Sequence, residues 1–234
     1  MTHRLGRVLA LTCAIAAVSA PAAHAQQTLN LSVGYVMLPG EGRVETDVLL
    51  IEHADLLFEV SNFNGRTIGV EWLMPVRDRF EAGVSVSYWQ RTVHTVHASL
   101  VNSDGSSVPR EMGFLQLPLA LTARVLPLGN RYRVKPYLGG GIALITWRFS
   151  ESGDFVNANQ QRFRNESYST VGTAIGPVML LGLRLAGNTV AYGIEGRYHR
   201  ARGSFGPSFA HVRDPDIDLG GWTVLATAGL RFGE

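Results

Sequence analysis

The chain has 234 residues, a formal net charge of +2, 46% hydrophobic residues and only 17% charged residues. Its charges are not gathered in a basic run, so the sequence lacks the electrostatic footprint of a nucleic-acid-binding protein. A single cysteine, Cys13, excludes a framework of disulfides or a cysteine metal site. Such an apolar, glycine-rich chain must hide its hydrophobic surface in a core or in lipid.

The first 25 residues have the pattern of a secretory signal peptide. Two arginines precede a short apolar stretch, and Ala23-His24-Ala25 match a small-residue cleavage site. The apolar stretch is too short to span a bilayer as a helix. We therefore predict a signal peptide at residues 1–25 and an exported domain at residues 26–234 that contains no thiol.

The exported part alternates with a period of two, which is typical of β-strands with two different faces. In the third segment, for example, Phe80, Val84 and Tyr88 share one face, while Glu81 and Ser85 share the other. Eight such segments follow in chain order, at residues 29–37, 67–74, 80–88, 115–124, 137–149, 179–185, 190–199 and 222–232. No run of 18 apolar residues predicts a transmembrane helix.

The connections between these strands alternate in length. The short ones are at residues 76–79, 127–133 and 186–188, and the long ones at 39–65, 93–111, 151–171 and 203–219. Short periplasmic turns and long extracellular loops are typical of outer-membrane barrels. Because an open sheet edge would leave backbone groups unpaired in lipid, we predict an all-β fold, a closed antiparallel eight-stranded transmembrane β-barrel.

A soluble barrel of the lipocalin type is the main structural alternative, since it also has eight strands. It would need a charged outer surface, whereas the less apolar face here is mainly Gly, Ser, Thr and Ala, and the chain has one lysine, Lys135. Aromatic residues lie near the ends of the apolar faces, as in the girdles of membrane barrels. They are Phe80, Tyr88, Tyr192, Tyr198, Trp222 and Phe232. We therefore place the apolar face in lipid.

Two segments resemble parts of known outer-membrane barrels. The last strand, which ends in Leu230-Arg231-Phe232, resembles the C-terminal aromatic strand that the outer-membrane assembly machinery recognises, although Gly233 and Glu234 follow it. Lys-Pro-Tyr-Leu-Gly-Gly-Gly-Ile at residues 135–142 resembles a strand of small barrels of the OmpA/OmpX/OmpW type. The resemblance implies a monomer in the outer membrane of a Gram-negative-type bacterium. Its partners would be outer-membrane lipid, lipopolysaccharide and the assembly machinery, with no nucleic acid.

Strand parity places six charged residues on the inner face, three acids and three bases. An eight-stranded interior is just wide enough for side chains, so isolated charges there would lose their hydration and should pair. We predict a structural charge network of Glu71, Glu81, Arg124, Arg184, Glu195 and Arg231. Within it we expect Glu81 to pair with Arg124, with Glu71 competing for the same arginine. A gated or proton-linked pathway is the alternative role.

The first long loop combines charge with apolar residues. Between Glu41 and Glu59 it contains six acids and one arginine, yet also two apolar runs that should not be fully exposed. These residues could pack on the barrel mouth, extend strands above the membrane or line the entrance for a ligand. The residues in question are Leu49, Leu50, Ile51, Leu56, Leu57 and Phe58.

We expect no catalytic residue, cofactor or metal. His94-x-x-His97 could bind a metal, but it falls in a predicted loop, for which a solvated segment is the simpler interpretation. Barrel lipases and lipid A deacylases place Ser, His and an acid on the outer face near the extracellular rim. His199, in contrast, lies on the inner face by parity.

Three functions are compatible with these patterns. The first is a non-enzymatic outer-membrane barrel with a filled interior, which supports envelope integrity or surface interaction through its loops. The second is passage of small hydrophobic molecules in the manner of OmpW-like barrels, with the first loop as the entrance. The third is a lipid-modifying enzyme. A continuous cavity of roughly several hundred Å³ would favour passage, and a Ser–His–acid cluster at the rim would favour the enzyme.

Overall fold

The computed structural model describes residues 26–40, 47–101, 104–156, 162–205 and 216–233. The predicted signal peptide at residues 1–25 lies outside the described part of the chain. Within that part, no helix has the length and apolar character needed to cross a bilayer.

The described residues form ten strands and two short helices. The strands are β1 Gln27–Met37, β2 Gly65–Arg77, β3 Phe80–Val101, β4 Ser107–Val125, β5 Val134–Val156, β6 Arg162–Ala186, β7 Val190–His199, β8 Arg202–Ser204, β9 Asp216–Asp218 and β10 Gly221–Phe232. The helices are α1 Val48–Asp55 and a 3-10 helix at Val60–Phe63.

Eight of these strands form a closed antiparallel barrel, and β8 and β9 form a separate hairpin. Neighbours in the chain are neighbours in the sheet, and β10 pairs with both β7 and β1 to close the ring. The predicted fold is therefore confirmed. Closure pairs every strand on both sides, which an apolar environment requires.

The outer surface of the barrel is an apolar band. Leu31, Ile68, Ile175 and Tyr192 are between 60% and 73% exposed, as expected for side chains that face lipid. All six aromatic residues predicted for the girdles lie on the outward parity, and Tyr198 packs on Trp222 with ring centroids 4.9 Å apart.

The four central strands β3–β6 are much longer than predicted. Segments 93–111 and 151–171, expected to be long loops, largely continue the strands in register, with His94 opposite Glu111 and Ser152 opposite Ser167. The prediction was wrong because it followed the outward apolar residues, which a strand needs only within lipid. Above the membrane many outward positions of these strands are polar, such as Thr92, His94 and Ser150, although the backbone ladder continues.

The first long loop does not extend strands above the membrane. It forms α1 and the 3-10 helix, which lie over the extracellular mouth of the barrel. Asp47 begins α1, because its side chain accepts a hydrogen bond from the backbone N–H of Leu49 at 2.9 Å. The same carboxylate accepts a bond from the backbone N–H of Asp218 at 2.7 Å, which ties the first loop to the β8–β9 hairpin.

Candidate functional site

The periplasmic half of the barrel interior contains a layer of paired charges, called the ionic layer below. Its members are Glu71, Glu81, Arg124, Tyr137, Arg184, Glu195 and Arg197. Arg124 Nη2 donates to Glu71 Oε1 at 2.5 Å and to Glu195 Oε2 at 2.7 Å. Arg197 Nη2 donates to Glu195 Oε1 at 2.6 Å and to Glu71 Oε1 at 3.2 Å. Two carboxylates and two guanidinium groups therefore neutralise one another across the lumen.

A second ion pair completes this layer. Arg184 Nη2 donates to Glu81 Oε1 at 2.5 Å, and both side chains are buried. The Tyr137 hydroxyl donates to Glu195 Oε2 at 3.0 Å, and its ring lies 4.7 Å from the Arg124 guanidinium carbon, a cation–π distance. Three carboxylates face three guanidinium groups, so the layer has no net charge.

The predicted pair between Glu81 and Arg124 does not form. The two residues stand opposite each other in the register of β3 and β4, as parity required. Arg124, however, extends across the lumen to Glu71 and Glu195, and Glu81 pairs with Arg184 from β6. The partner of a buried charge is therefore determined by the position of its charged end group and not by which backbone positions are adjacent.

Arg231 lies outside the ionic layer, in contrast to the prediction. It is half-buried at the periplasmic rim, and its guanidinium donates to the carbonyl of Gly187 in the β6–β7 turn. Its place among the three bases is taken by Arg197, which the sequence analysis did not include. The signal for Arg197 was present, because it shares the inward parity of Glu195 two residues earlier.

The extracellular half of the interior is filled differently, by aromatic rings. This aromatic layer consists of Phe58, Phe63, Trp89, Phe114, Trp147, Phe149 and Phe205. Phe114 contacts Trp89, Phe63 and Phe149 at centroid distances of 5.1, 6.2 and 6.2 Å, with rings edge to face. Trp147 fits beside Gly172 and Gly203, where an added Cβ would come within 2.7 and 2.5 Å of the indole. The sequence analysis did not foresee this layer.

The first-loop helices and the β8–β9 hairpin together form the extracellular cap, at residues 47–63, 202–204 and 216–218. Of the six first-loop residues proposed to line a ligand entrance, three are buried in this cap. Leu49, Leu56 and Phe58 are at most 7% exposed, whereas Leu50 and Leu57 are 38% and 63% exposed. Ile51 is half-buried. The loop is held to β3 by a bond from the Leu57 N–H to the Val96 carbonyl at 3.0 Å.

Between the two layers lies a cavity of about 30 Å³. Its lining includes Arg197 from the ionic layer, Trp89 from the aromatic layer, and Gln116 and His199. A water molecule needs roughly 10–15 Å³ of such space. The cavity therefore has room for about two water molecules.

Two histidines that the sequence analysis weighed as metal ligands, His94 and His97, are among the described residues. His94 and His97 lie in β3 rather than in a loop, and the register of β3 with β4 is regular at His94 but irregular at His97. No group of three potential metal ligands occurs in the described part of the chain. On the outer face, His94 Nε2 lies 3.3 Å from Glu111 Oε2, and Ser152 is the next residue across the sheet. Glu111 thus separates the serine from the histidine, whereas a catalytic serine must contact its general base.

No protein-family model matches the chain, and no curated protein matches it. Solved structures similar to it include Ail, the attachment invasion locus protein of Yersinia pestis, with 13% identity, a TM-score of 0.44, and coverage of 89% of this chain and 99% of that chain. Neisserial surface protein A has 12% identity, a TM-score of 0.48, and coverage of 88% and 97%. The N-terminal β-barrel domain of Pseudomonas aeruginosa OprF has 10% identity, a TM-score of 0.41, and coverage of 88% and 97%.

These proteins are small outer-membrane barrels with eight strands. The closed ring and the outward apolar band described above are features of this chain itself, and they are those that a membrane barrel needs. The chain thus has, by its own strand order, the closed eight-stranded antiparallel barrel that its sequence predicted.

Proposed function

We propose that this protein is a non-enzymatic, non-conducting outer-membrane barrel that acts at the cell surface through its four long strands. The observation that carries the proposal is the protruding sheet, defined as residues 90–101, 107–115, 148–156 and 162–171 of β3–β6. These segments continue the barrel ladder beyond the outer girdle at Tyr88. At roughly 2.5 Å of height per tilted residue, Val96 stands about 20 Å above Tyr88.

The outer face of the protruding sheet includes one row of small residues. One row across the four strands consists of Thr92, Gly113, Ser150 and Ser169, each opposite the next in register. Such a row offers hydroxyl groups and backbone without bulky side chains. The other face packs against the extracellular cap through buried residues such as Val93 and Met112. The sheet therefore presents a largely polar face to the exterior.

One edge of the protruding sheet also suits a partner. The ladder of β6 with β7 runs only from Val178 to Ala186, whereas its ladder with β5 reaches Arg162. Among the described residues no strand forms a ladder with β6 on this side beyond Val178, although β8 lies against part of it, and a strand without a ladder partner can accept an added strand from another protein. An extended segment of a surface or host protein is the partner class that this edge favours.

The packing of the interior supports the non-conducting part of the proposal. The ionic layer and the aromatic layer leave a cavity of about 30 Å³ between them. Passage of a hydrophobic molecule would need a continuous path of roughly several hundred Å³. The open groove beside Leu50 and Glu59, of about 320 Å³, lies on the outside of the first loop. We therefore expect no stable conductance steps from purified protein in planar bilayers, and porin-sized steps would contradict the proposal.

Cysteine labelling tests whether the protruding sheet lies at the cell surface. Beyond Cys13 the chain has no cysteine, so each introduced thiol is unique in the exported domain. A membrane-impermeant maleimide should label His94→Cys on intact cells. Two matched controls on the same strand, Val84→Cys in the apolar band and Ser85→Cys in the lumen, should stay unlabelled until the barrel is unfolded. Equal labelling of all three, or none at His94→Cys, would overturn the proposed placement.

A further inference from the structure

The end of the barrel with short turns is strongly basic. Arg77, Arg79, Arg131 and Arg133 are exposed there, and Asp78 is the exposed acid among the described residues of these turns. In a barrel with this loop pattern, the short turns face the periplasm and lie level with the headgroups of the inner leaflet. Guanidinium groups bind phosphate in a bidentate fashion, which makes an arginine rim a potential phosphate-binding surface.

One part of this rim is shaped as a groove. An open groove of about 610 Å³ runs down the outside of β5, β6 and β7 at their periplasmic ends. Its apolar floor includes Val134, Leu185 and Tyr192, which lie opposite one another in register and are 45%, 54% and 60% exposed. Its polar rim includes Arg133, Asn188 and Thr189. The groove is therefore amphipathic, with its apolar part continuous with the lipid-facing band.

The hydrogen bonds of the β6–β7 turn make this rim rich in donors. The carbonyl of Asn188 accepts a bond from the Gln26 side chain at 2.7 Å, and that of Thr189 accepts one from the Arg231 N–H at 2.7 Å. The Gly187 carbonyl accepts a bond from the Arg231 guanidinium. Because these three carbonyls are already engaged, the Asn188 amide and the Thr189 hydroxyl, which can each donate to an anion, lie with Arg133 at the rim of the groove. A donor-rich rim favours an anionic ligand.

The backbone fixes Arg133 at this rim. Its carbonyl accepts a hydrogen bond from the N–H of Ala186 at 2.7 Å, so the residue is held beside the last residue of β6. Arg131, two residues earlier in the same turn, does not line the groove. The position of Arg133 is thus set by the barrel ladder and not only by the turn.

From these contacts we infer that the groove binds one anionic glycerophospholipid of the periplasmic leaflet. Its phosphate would lie on Arg133, Asn188 and Thr189, and an acyl chain would lie along Leu185 and Tyr192. The occupant comes from the bilayer because the groove opens sideways into the apolar band. This site rests on the membrane location of the barrel and not on the proposed surface role.

The test uses the exported chain folded into nanodiscs of phosphatidylethanolamine and phosphatidylglycerol, with native mass spectrometry of the released protein. The wild type should retain one phosphatidylglycerol in preference to phosphatidylethanolamine. Since a hydrogen bond to a charged group contributes about 1.5–3 kcal/mol, Arg133→Gln should lower that preference about tenfold or more. The matched variant Arg131→Gln should keep the wild-type preference. Heat-modifiable migration of each variant shows that the barrel is folded before the lipid result is read.

Several results would overturn the site. Equal retention of the two lipids by the wild type would mean that the groove does not select an anion. Equal loss in Arg131→Gln would mean that the whole basic rim acts, rather than this groove. Competition by soluble glycerol phosphate at the affinity of the lipid would show that the apolar floor has no part. Retention of lipopolysaccharide, added in a parallel nanodisc, in place of phosphatidylglycerol would exclude a lipid of the periplasmic leaflet.

Discussion

The two halves of the barrel interior are occupied by opposite kinds of side chain. In the periplasmic half, every member of the ionic layer belongs to a barrel strand, from Glu71 on β2 to Arg197 on β7. In the extracellular half, wall residues such as Phe114 and Phe149 meet Phe63 and Phe205, which belong to loops. The periplasmic half therefore depends on the strands alone, whereas the extracellular half depends on loops that must stay docked.

The difference between the two halves indicates that the interior can open more easily at its extracellular end. Breaking a buried ion pair leaves a charge without a partner and threatens the whole barrel. Removing an apolar contact between loop and wall lowers only the stability of the loop, since the strand ladders remain intact. We expect the two layers to respond to mutation on different scales, one global and one local.

The largest effect is expected at Arg124, the centre of the ionic layer. Arg124→Met should lower the free energy of unfolding by about 3–5 kcal/mol, because Glu71 and Glu195 would both lose a buried cation. The measurement is urea unfolding in lipid vesicles, followed by tryptophan fluorescence. A loss below about 1 kcal/mol would mean that water or Arg197 replaces the missing charge, and the layer would not be the stability centre.

A pair of double-mutant cycles sharpens the assignment of partners. Glu81→Gln and Arg184→Met should be strongly coupled, because their side chains are 2.5 Å apart. Glu81→Gln and Arg124→Met should be closer to additive, although their backbones are adjacent. The reverse pattern would restore the pairing that the register alone suggests.

The aromatic layer should show a smaller and more local response. Phe63→Ala should lower the free energy of opening of the first loop by about 3 kcal/mol, because a fully buried ring leaves a cavity against Phe114. Hydrogen exchange of α1 should become faster while exchange of β1 and β10 stays slow. Leu57→Ala, an exposed residue of the same loop, is the control and should change little. Equally faster exchange in all strands would show that the two layers are not independent.

The smallest effect is expected at the link between the loops. Asp47→Ala removes the bonds to Leu49 and Asp218 and should destabilise the docked loop by about 1–2 kcal/mol. The change should be visible as faster exchange in both α1 and β9. Asp104→Ala is the matched control, because that carboxylate caps Ser106 in the same manner at a distant hairpin tip. Faster exchange in α1 alone would mean that Asp47 is only a helix cap.

The strand faces were predictable because lipid imposes a simple rule on every outward residue. The parity that puts Val84 outward puts Ser85 inward, and the same parity buries Glu71, Glu81 and Arg124. The turns were predictable for a related reason, since the alternation stops where the strands leave the apolar band. Ring closure followed from the need to pair edge strands in lipid.

The partners and the upper half of the molecule were not predictable in this way. A guanidinium group reaches beyond the neighbouring strand, about 4.8 Å away, so the backbone register does not determine which carboxylate it meets. Phe63 and Phe205 contact the wall only through loops, whose paths depend on many weak contacts at once. The row that contains Thr92 and Ser150 has no apolar outward residue. Because the prediction relied on apolar outward residues, it took these continuing strands for loops.

The closing ladder of the barrel also has a consequence for the order of assembly. Seven of the eight ladders join barrel strands that follow one another in the chain, while the eighth joins β1 and β10, which come from opposite ends of the domain. That last pairing therefore closes a loop that contains nearly the whole domain, and its entropic cost is the largest of the eight. Until it forms, β1 and β10 are two unpaired edges at once, and each is costly in lipid. In a folding intermediate of this barrel, the backbone groups of these two edges must therefore find other hydrogen-bond partners. Water can supply them before insertion, and another protein can supply them during insertion.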